Sequence, residues 1–362
     1  MNDIAHPLLQ QDALPIAPLC EQLKFMLGYV VMAPSSHNTQ PWIFQLTQTG
    51  VDLYADRKRS LPIVDPQDRS LIMSCGAALM NLRIVLQHFG FTARVRLLPT
   101  ADQPDLLAQI QIIHHNPGRP SPVNELFAAI PHRHMNRGAY EPTQIPASIL
   151  SNLQTAAQQE GAWLHWITNG QRATVAELIA EGDRQQMKLP AFRHELAKWM
   201  IPNTSQRRDG MPGSVHGMGN WVSLVGPLVI RQFDLGNSQA HKDYQLALEA
   251  PALAVIATAF DTPYDWLIAG QALEHVLLQA WAAGVDAALL NQPIEVPSLR
   301  DRLRSSILLS GTPQLLLRLG YGGATATTPR RWDAEVVREP MPSVEGAIPT
   351  DVIDQFEDST SE

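Results

Sequence analysis

The chain has 362 residues, of which 45% are apolar, and carries a formal net charge of −8 with a sequence pI near 5.8. That acidic balance argues against a nucleic-acid or anionic-membrane partner, and the length is ample for one large domain or two ordinary ones. Two cysteines, Cys20 and Cys75, provide neither a disulfide framework nor a metal spacing, and no metal site is expected. The first residues include Asp3 and Asp12 and lack both a basic n-region and an apolar h-region. No apolar run approaches a membrane span, so a cytoplasmic protein is expected.

Apolar spacing predicts a helix over 23–32, which Pro34 stops by disfavouring helical geometry at Ala33. The run 33–42, APSSHNTQPW, then places Ser35, Ser36, His37, Asn38, Thr39 and Gln40 at a helix-to-strand corner. Such hydroxyls and carboxamides are poor acids and bases, yet they can read a neutral edge that alternates carbonyl and N–H. The plainer alternative is a Ser- and Asn-rich turn that caps a helix. Trp42, Phe44 and Leu46 alternate, Thr49-Gly50 turns the chain, and Val51, Leu53 and Ala55 complete a hairpin. Cys75 falls at a predicted helix start, as a small buried residue in preference to a nucleophile. His114-His115 has no further ligands at workable spacing.

Residues 76–90, GAALMNLRIVLQHFG, can be laid over 270–284, GQALEHVLLQAWAAG, with Gly76, Ala78, Leu79 and Gly90 over Gly270, Ala272, Leu273 and Gly284. A second overlay sets the helix-then-strand stretch 150–167 on 29–46, with Trp163 over Trp42. Its smaller offset requires an insertion between Ile167 and Gly270, and the Pro/Gly/Met-rich stretch 201–220 reads as a loop there. The polar run PSSHNTQ has no equivalent in TAAQQEG, residues 155–161. Conversely, no arginine precedes Arg57, whereas 130–140 contains Arg133 and Arg137. On a helix these two would share a face and suit a phosphate monoester; alone they would equally fit a surface pair near Glu125. On 192–199, Arg193 is a candidate to reach a bound ligand, or simply part of a solvated helix face. A buried strand over 315–321 precedes a glycine-rich turn and Arg330-Arg331, and from Asp351 an acidic tail follows.

The string P-S-S-x-N-x-Q-P-W resembles the nitroreductase-type flavoenzymes, and residues 56–90 resemble their Acg branch, a nitroreductase-like duplication fused in one chain. The resemblance implies an α+β fold of two nitroreductase-like halves forming an intramolecular pseudo-dimer, each a mainly antiparallel sheet packed by helices. The halves would be 1–123 and 124–340, with a lid insertion near 200–245 and a tail at 341–362. It implies FMN in the cleft between them, its ring edge meeting Pro34, Ser35, Ser36, Asn38 and Gln40. Its phosphate and ribityl would meet Arg133, His134 and Arg137 of RHMNR, where Met135 replaces the family's Ser or Thr, together with Arg330 or Arg331. Leu290 and Asn291 of LLNQP would approach the reactive part of the ring. The implied activity is hydride transfer from NAD(P)H through FMN to a nitro, quinone or related acceptor, without a dedicated catalytic acid or base. The alternative is a flavin-sequestering protein with little turnover. A monomer would suffice, because one chain imitates a dimer.

Overall fold

The computed structural model describes residues 14–118, 121–331 and 333–340. The acidic tail expected at 341–362 and the N-terminal Asp3 and Asp12 lie outside them. The first half runs α1 (Leu19–Val30), β1 (Trp42–Leu46), β2 (Gly50–Ala55), α2 (Arg69–His88), β3 (Phe91–Leu97) and β4 (Leu106–His115). A short helix, α3 (Asn124–Ala129), leads to α4 (Ala147–Gln159) and β5 (Trp163–Trp166) of the second half. The chain then departs into α5 (Asn169–Lys188), α6 (Pro190–Trp199), the short strands β6 (Met200–Ile201) and β7 (Met211–Pro212), α7 (Asn220–Gln232) and α8 (Gly236–Glu249). It resumes with β8 (Ala252–Thr258), α9 (Pro263–Ala282), β9 (Asp286–Leu289), α10 (Gln292–Glu295), α11 (Pro297–Ser306) and β10 (Thr312–Gly320).

The first sheet has the antiparallel order β1-β2-β4-β3 and the second the antiparallel order β5-β8-β10-β9. Counting strands within each half, both orders are first, second, fourth, third. The architecture is α+β: two antiparallel sheets with equivalent strand order, packed by helices. A final strand, β11 (Val337–Arg338), leaves the second half and extends the first sheet, parallel to β1, with Phe44 opposite Val337.

The halves meet where α2 crosses α9, and the glycines matched in the repeat make that crossing. A Cβ on Gly76 would stand 2.4 Å from Leu267 O, and one on Gly270 would stand 1.9 Å from Met73 O. Position 270 is 194 beyond 76, and 267 is 194 beyond 73, so the close approach is reciprocal. The other matched pair closes the two helices, with Gly90 at φ 80° and Gly284 at φ 71°, the left-handed geometry that glycine adopts at a helix end. Apolar on nearly every side, α2 is buried between the halves, as such helices must be. By length and composition it is apolar enough to cross a membrane, which corrects the expectation that no run approaches that length. Cys75 lies inside α2 and not at its start, with Sγ 3.2 Å from Pro41 O and its pKa raised by burial.

Two connections distinguish the halves. Between α1 and β1 the first half has residues 31–41, whereas Glu160–Ala162 suffice between α4 and β5. Thr155 to Gln159 belong to α4 itself, so the polar run has no structural counterpart in the second half. Between β1 and β2 lies a tight turn, where Thr47 N donates to Gly50 O at 3.0 Å. At the equivalent place between β5 and β8 the second half carries residues 167–251, so the insertion is larger than the loop expected from composition.

Candidate functional site

A cavity of about 550 Å³ opens between the halves, beneath the insertion. The first half contributes Pro34, Ser35, Ser36 and His37, with Ser70, Met73 and Ser74 of α2. Three non-glycine residues of this loop are left-handed, His37 at φ 51°, Asn38 at 55° and Gln40 at 51°. Such geometry costs roughly 1–2 kcal/mol per ordinary residue and persists only where surrounding bonds enforce it. The enforcing bonds come from the two carboxamides. Asn38 Nδ2 donates to Gly210 O at 2.9 Å and Pro329 O at 3.0 Å, and Gly210 N donates back to Asn38 O at 3.1 Å. Gln40 Nε2 donates to Arg208 O at 2.8 Å, while its Oε1 accepts from Arg331 N at 2.7 Å. Asn38 and Gln40 therefore do not line the cavity, which corrects their reading as edge-reading groups: they fasten the loop to the insertion and to the C-terminal arm. Ser35 Oγ accepts from Gln40 N at 2.9 Å, which leaves its own proton free to donate.

The second half contributes the arm around RHMNR, which is extended and not helical. Met135 bridges to Ala287 in parallel fashion, and Asn136 N donates to Ala287 O at 3.0 Å. Met135 and Arg137 line the cavity, but Arg133 does not. Instead Arg133 is 4% exposed, pairs with Glu274 at 3.4 Å and donates from Nη2 to Met32 O at 2.9 Å. Arg330 reaches the same carbonyl at 3.2 Å and donates to Asn38 Oδ1 at 3.2 Å. His134 lies near both arginines, its pKa lowered to about 3 by burial and then by Arg133 and Arg330. Arg331 donates from Nη1 to Gln40 O at 2.8 Å and stands 3.8 Å from Asp56. Arg133, Arg330 and Arg331 are thus held by other protein groups, and neither they nor His134 are among the cavity's lining residues. Burial lowers the pKa of Arg330 to about 9, with the like charge of Arg133 as the next cause. Of the expected arginines, only Arg137 faces the cavity, and its guanidinium has no hydrogen bond or ion pair among the described residues.

Leu290 and Asn291 also line the cavity. The Asn291 side chain is engaged, however, since its Oδ1 accepts from Leu316 N at 2.9 Å. Sequence reasoning missed Arg318, 1% exposed on β10, with Nε and Nη1 unpartnered and the guanidinium 4.2 Å from the Tyr140 ring centroid. Its signal was present: one arginine inside the apolar strand LLLRLG. Also missed were Asp183 of α5 and Asp243 of α8, which line the cavity from the insertion. Nothing in a charged helical stretch such as EGDRQQ marks one carboxylate as buried. His37 and His216 line the cavity, their Nε2 atoms without a hydrogen-bond partner among the described residues. Burial, reinforced by Arg137, holds His37 at about 4 and His216 at about 3, so both are neutral at pH 7.

The insertion roofs the cavity with Phe192, Met211, Met218, Val225 and Ile230. It is fastened to the first half, both at Asp209 within the stretch 201–220 and at Glu195 of α6. Arg59 pairs with Asp209 at 2.6 Å, and the Glu195 carboxylate accepts from Ile63 N at 3.1 Å and Val64 N at 2.9 Å. Arg193 is occupied elsewhere, donating to Met187 O at 2.6 Å at the end of α5, and does not reach the cavity. Among the described residues no three His, Cys, Asp or Glu side chains are grouped so as to hold a metal ion. The half-buried ring of His115 stacks on Phe91 at 3.8 Å, a packing role.

No family model matches the chain. Relatives do. It is 29% identical over 332 residues to a Mycobacterium tuberculosis protein provisionally named NAD(P)H nitroreductase Rv3131, covering 89% of this chain and 93% of that one. It is 25% identical over 327 residues to the similarly named Acg of the same organism, covering 85% and 93%. Among solved structures, a nitroreductase with bound FMN from Bacteroides fragilis aligns with a TM-score of 0.36 and 16% identity over 59% of this chain and 98% of that one. The chain is thus similar over most of its length to proteins named as NAD(P)H nitroreductases, Acg among them.

Proposed function

We propose that the chain binds one FMN in the cavity between its halves and passes electrons from NAD(P)H to a small organic acceptor such as a nitro compound or quinone. The observation that carries this reading is a cavity to which both halves contribute, walled by methionines and leucines, with buried cationic donors left unpartnered. Unmatched groups of this kind cost about 1–3 kcal/mol each unless a ligand or water answers them, and charged ones cost more. Arg137 and Arg318 would balance the phosphate, and the hydroxyls of Ser35 and Ser36 would hydrogen-bond the ring edge. The apolar side chains of Met73, Met135, Leu273 and Leu290 would enclose the ring. The cavity volume falls within the range of small-molecule and cofactor sites, and relatives named NAD(P)H nitroreductase over 85–89% of the chain support the choice of chemistry.

When bound, FMN supplies the two-electron redox chemistry, and the protein supplies binding, orientation and electrostatics. Asn38 and Gln40 hold the serine loop in its left-handed geometry, so that the hydroxyls are preorganised. The roof of α6 and α7 excludes water from one side and strengthens every charge interaction beneath it. Since Asn38, Gln40, Arg59 and Glu195 all fasten that roof to the first half, a second reading also has support: a flavin-holding protein whose ring is shielded from nicotinamide. Anaerobic addition of NADH and then NADPH to purified protein separates the two. Bleaching of bound flavin on a turnover timescale supports the oxidoreductase. Flavin that stays oxidised supports the holding protein, and protein that neither retains nor takes up FMN refutes both.

A further inference from the structure

The insertion places two carboxyl groups where a ligand in the cavity would meet them. Asp183 on α5 is 4% exposed and Asp243 on α8 is 6% exposed, and both line the cavity. One amide joins them: Gln292 Nε2 donates to Asp183 Oδ1 at 3.1 Å and to Asp243 Oδ2 at 2.8 Å. Gln239 Nε2 adds a bond to Asp243 Oδ2 at 2.9 Å. Asp183 Oδ2 is buried with no hydrogen-bond partner among the described residues. Arg318, read above as a partner of the FMN phosphate, lines the same cavity, with Nε and Nη1 unpartnered among the described residues.

The charges that face the pair come from every packed element. Lys242 on α8 and Arg318 on β10 favour ionisation of Asp243, whereas Glu295 on α10 disfavours ionisation of Asp183. Arg137 of the arm is within electrostatic reach of Asp243, and His216 of the roof is neutral at pH 7. Neither carboxylate forms an ion pair within 4 Å among the described residues. Two carboxylates that share one amide donor in a buried site do not both ionise readily. Burial, and then Asp243, push Asp183 up to about 8, and burial also raises Asp243.

We propose that Asp183 and Asp243 share one proton and deliver it to the oxygen of a carbonyl or nitro acceptor seated in the cavity. This rests on the reading of the cavity as a site of reduction. A quinone needs two electrons and two protons to become the hydroquinone. A hydride derived from NAD(P)H accounts for both electrons and one proton. The second proton leaves the Asp183 carboxyl as its O–H bond breaks and a new O–H bond forms on the acceptor. Both carboxylates are then ionised until water at the open side restores the proton. Asp183 Oδ2, with no hydrogen-bond partner among the described residues, is the oxygen available to donate.

The test is infrared difference spectroscopy on full-length, flavin-loaded protein, with pH titration and hydrogen–deuterium exchange, for the wild type, Asp183→Asn and Asp243→Asn. The expected result is a protonated-carboxyl C=O band at neutral pH that is lost as pH rises through about 8 and is absent from Asp183→Asn. In parallel, the rate of 1,4-benzoquinone reduction by the wild type should fall over the same pH range. Asp183→Asn should be slower by roughly 100-fold, the scale of general acid catalysis, and should lose that pH dependence. Should Asp183→Asn fail to fold, carbon-13 labelling of aspartate in the wild type assigns the band without any variant. Flavin-loaded wild type without the band, or a band that survives in both variants, overturns the carboxyl pair alone. Protein that shows the band but holds no flavin and reduces no quinone overturns the function proposed above, and the delivery step with it.

Discussion

The two halves share strand order and a reciprocal glycine crossing, yet they differ at the two connections flanking the first strand. In the first half, residues 31–41 bring a strained polar loop to the seam and the strand turns straight back. In the second, α4 runs almost directly into β5, and the return to β8 takes residues 167–251 through the roof. The scaffold is common to both and the candidate site is built from the differences: serines from one half, Arg137 and the carboxyl pair from the other. Two copies that had remained equal would offer two equivalent clefts; divergence of the connections leaves one.

The sharpest way to break this comparison lies within the arm of the second half, where two arginines have opposite surroundings. Arg133→Ala leaves Glu274, 0% exposed, without its partner, and breaking a buried pair costs roughly 3–5 kcal/mol. Burial holds the Glu274 carboxyl up at about 7, so the penalty should be largest above that pH and shrink below it, as the carboxyl takes up a proton. Urea unfolding at high and low pH measures it. Arg137→Ala should change stability little and weaken FMN binding by about 1.5–3 kcal/mol, the range for hydrogen bonds to charged groups. Flavin titration of apo-protein tests that. The comparison fails if Arg133→Ala unfolds like the wild type while Arg137→Ala is severely destabilised.

The crossing gives the next effect. Gly270→Ala places a Cβ 1.9 Å from Met73 O, and Gly76→Ala places one 2.4 Å from Leu267 O, so in each case two helix backbones must separate. A loss of about 1–3 kcal/mol is expected for each, Gly270→Ala being the larger. Denaturant midpoints decide it, and tolerance of both substitutions would refute the close crossing.

Smaller still is the effect of the cavity histidines. His216 is held at about 3 when folded, against about 6.5 when unfolded, so nothing is lost above pH 6.5. As pH falls below 6.5 the unfolded chain binds the proton and the folded one does not, so stability declines towards pH 3. At pH 5 this amounts to about 1–2 kcal/mol, and His216→Gln should recover it there while changing nothing at pH 7.5. Equal shifts at both pH values would show that the substitution acts through packing instead.

Much of the scaffold was legible because it depends on short-range chemistry. The matched Gly90 and Gly284 mark helix ends, the Trp42-Phe44-Leu46 alternation marks a half-buried strand, and Pro34 stops the first helix, whereas the close crossing at Gly76 and Gly270 emerges only in the fold. Less of the site was legible, because side-chain commitments are set by tertiary neighbours. Nothing local shows that the Asn38 and Gln40 carboxamides hold Gly210, Arg208 and the C-terminal arm. The spacing of Arg133 and Arg137 suited a helix, but the bridge of Met135 to Ala287 fixes an extended arm and gives each arginine a different role. Asp183 and Asp243 sit 60 residues apart (243 − 183) on separate helices, and only the fold brings them onto one Gln292 amide.

On this reading one chain builds one site from its two unequal halves. Apo-protein titrated with FMN, with protein concentration from amino-acid analysis and released flavin quantified chromatographically, tests it most directly. Saturation is expected at one FMN per chain, with FMN bound in preference to riboflavin because Arg137 and Arg318 line the cavity. Saturation at two per chain, or equal binding of riboflavin, would contradict it.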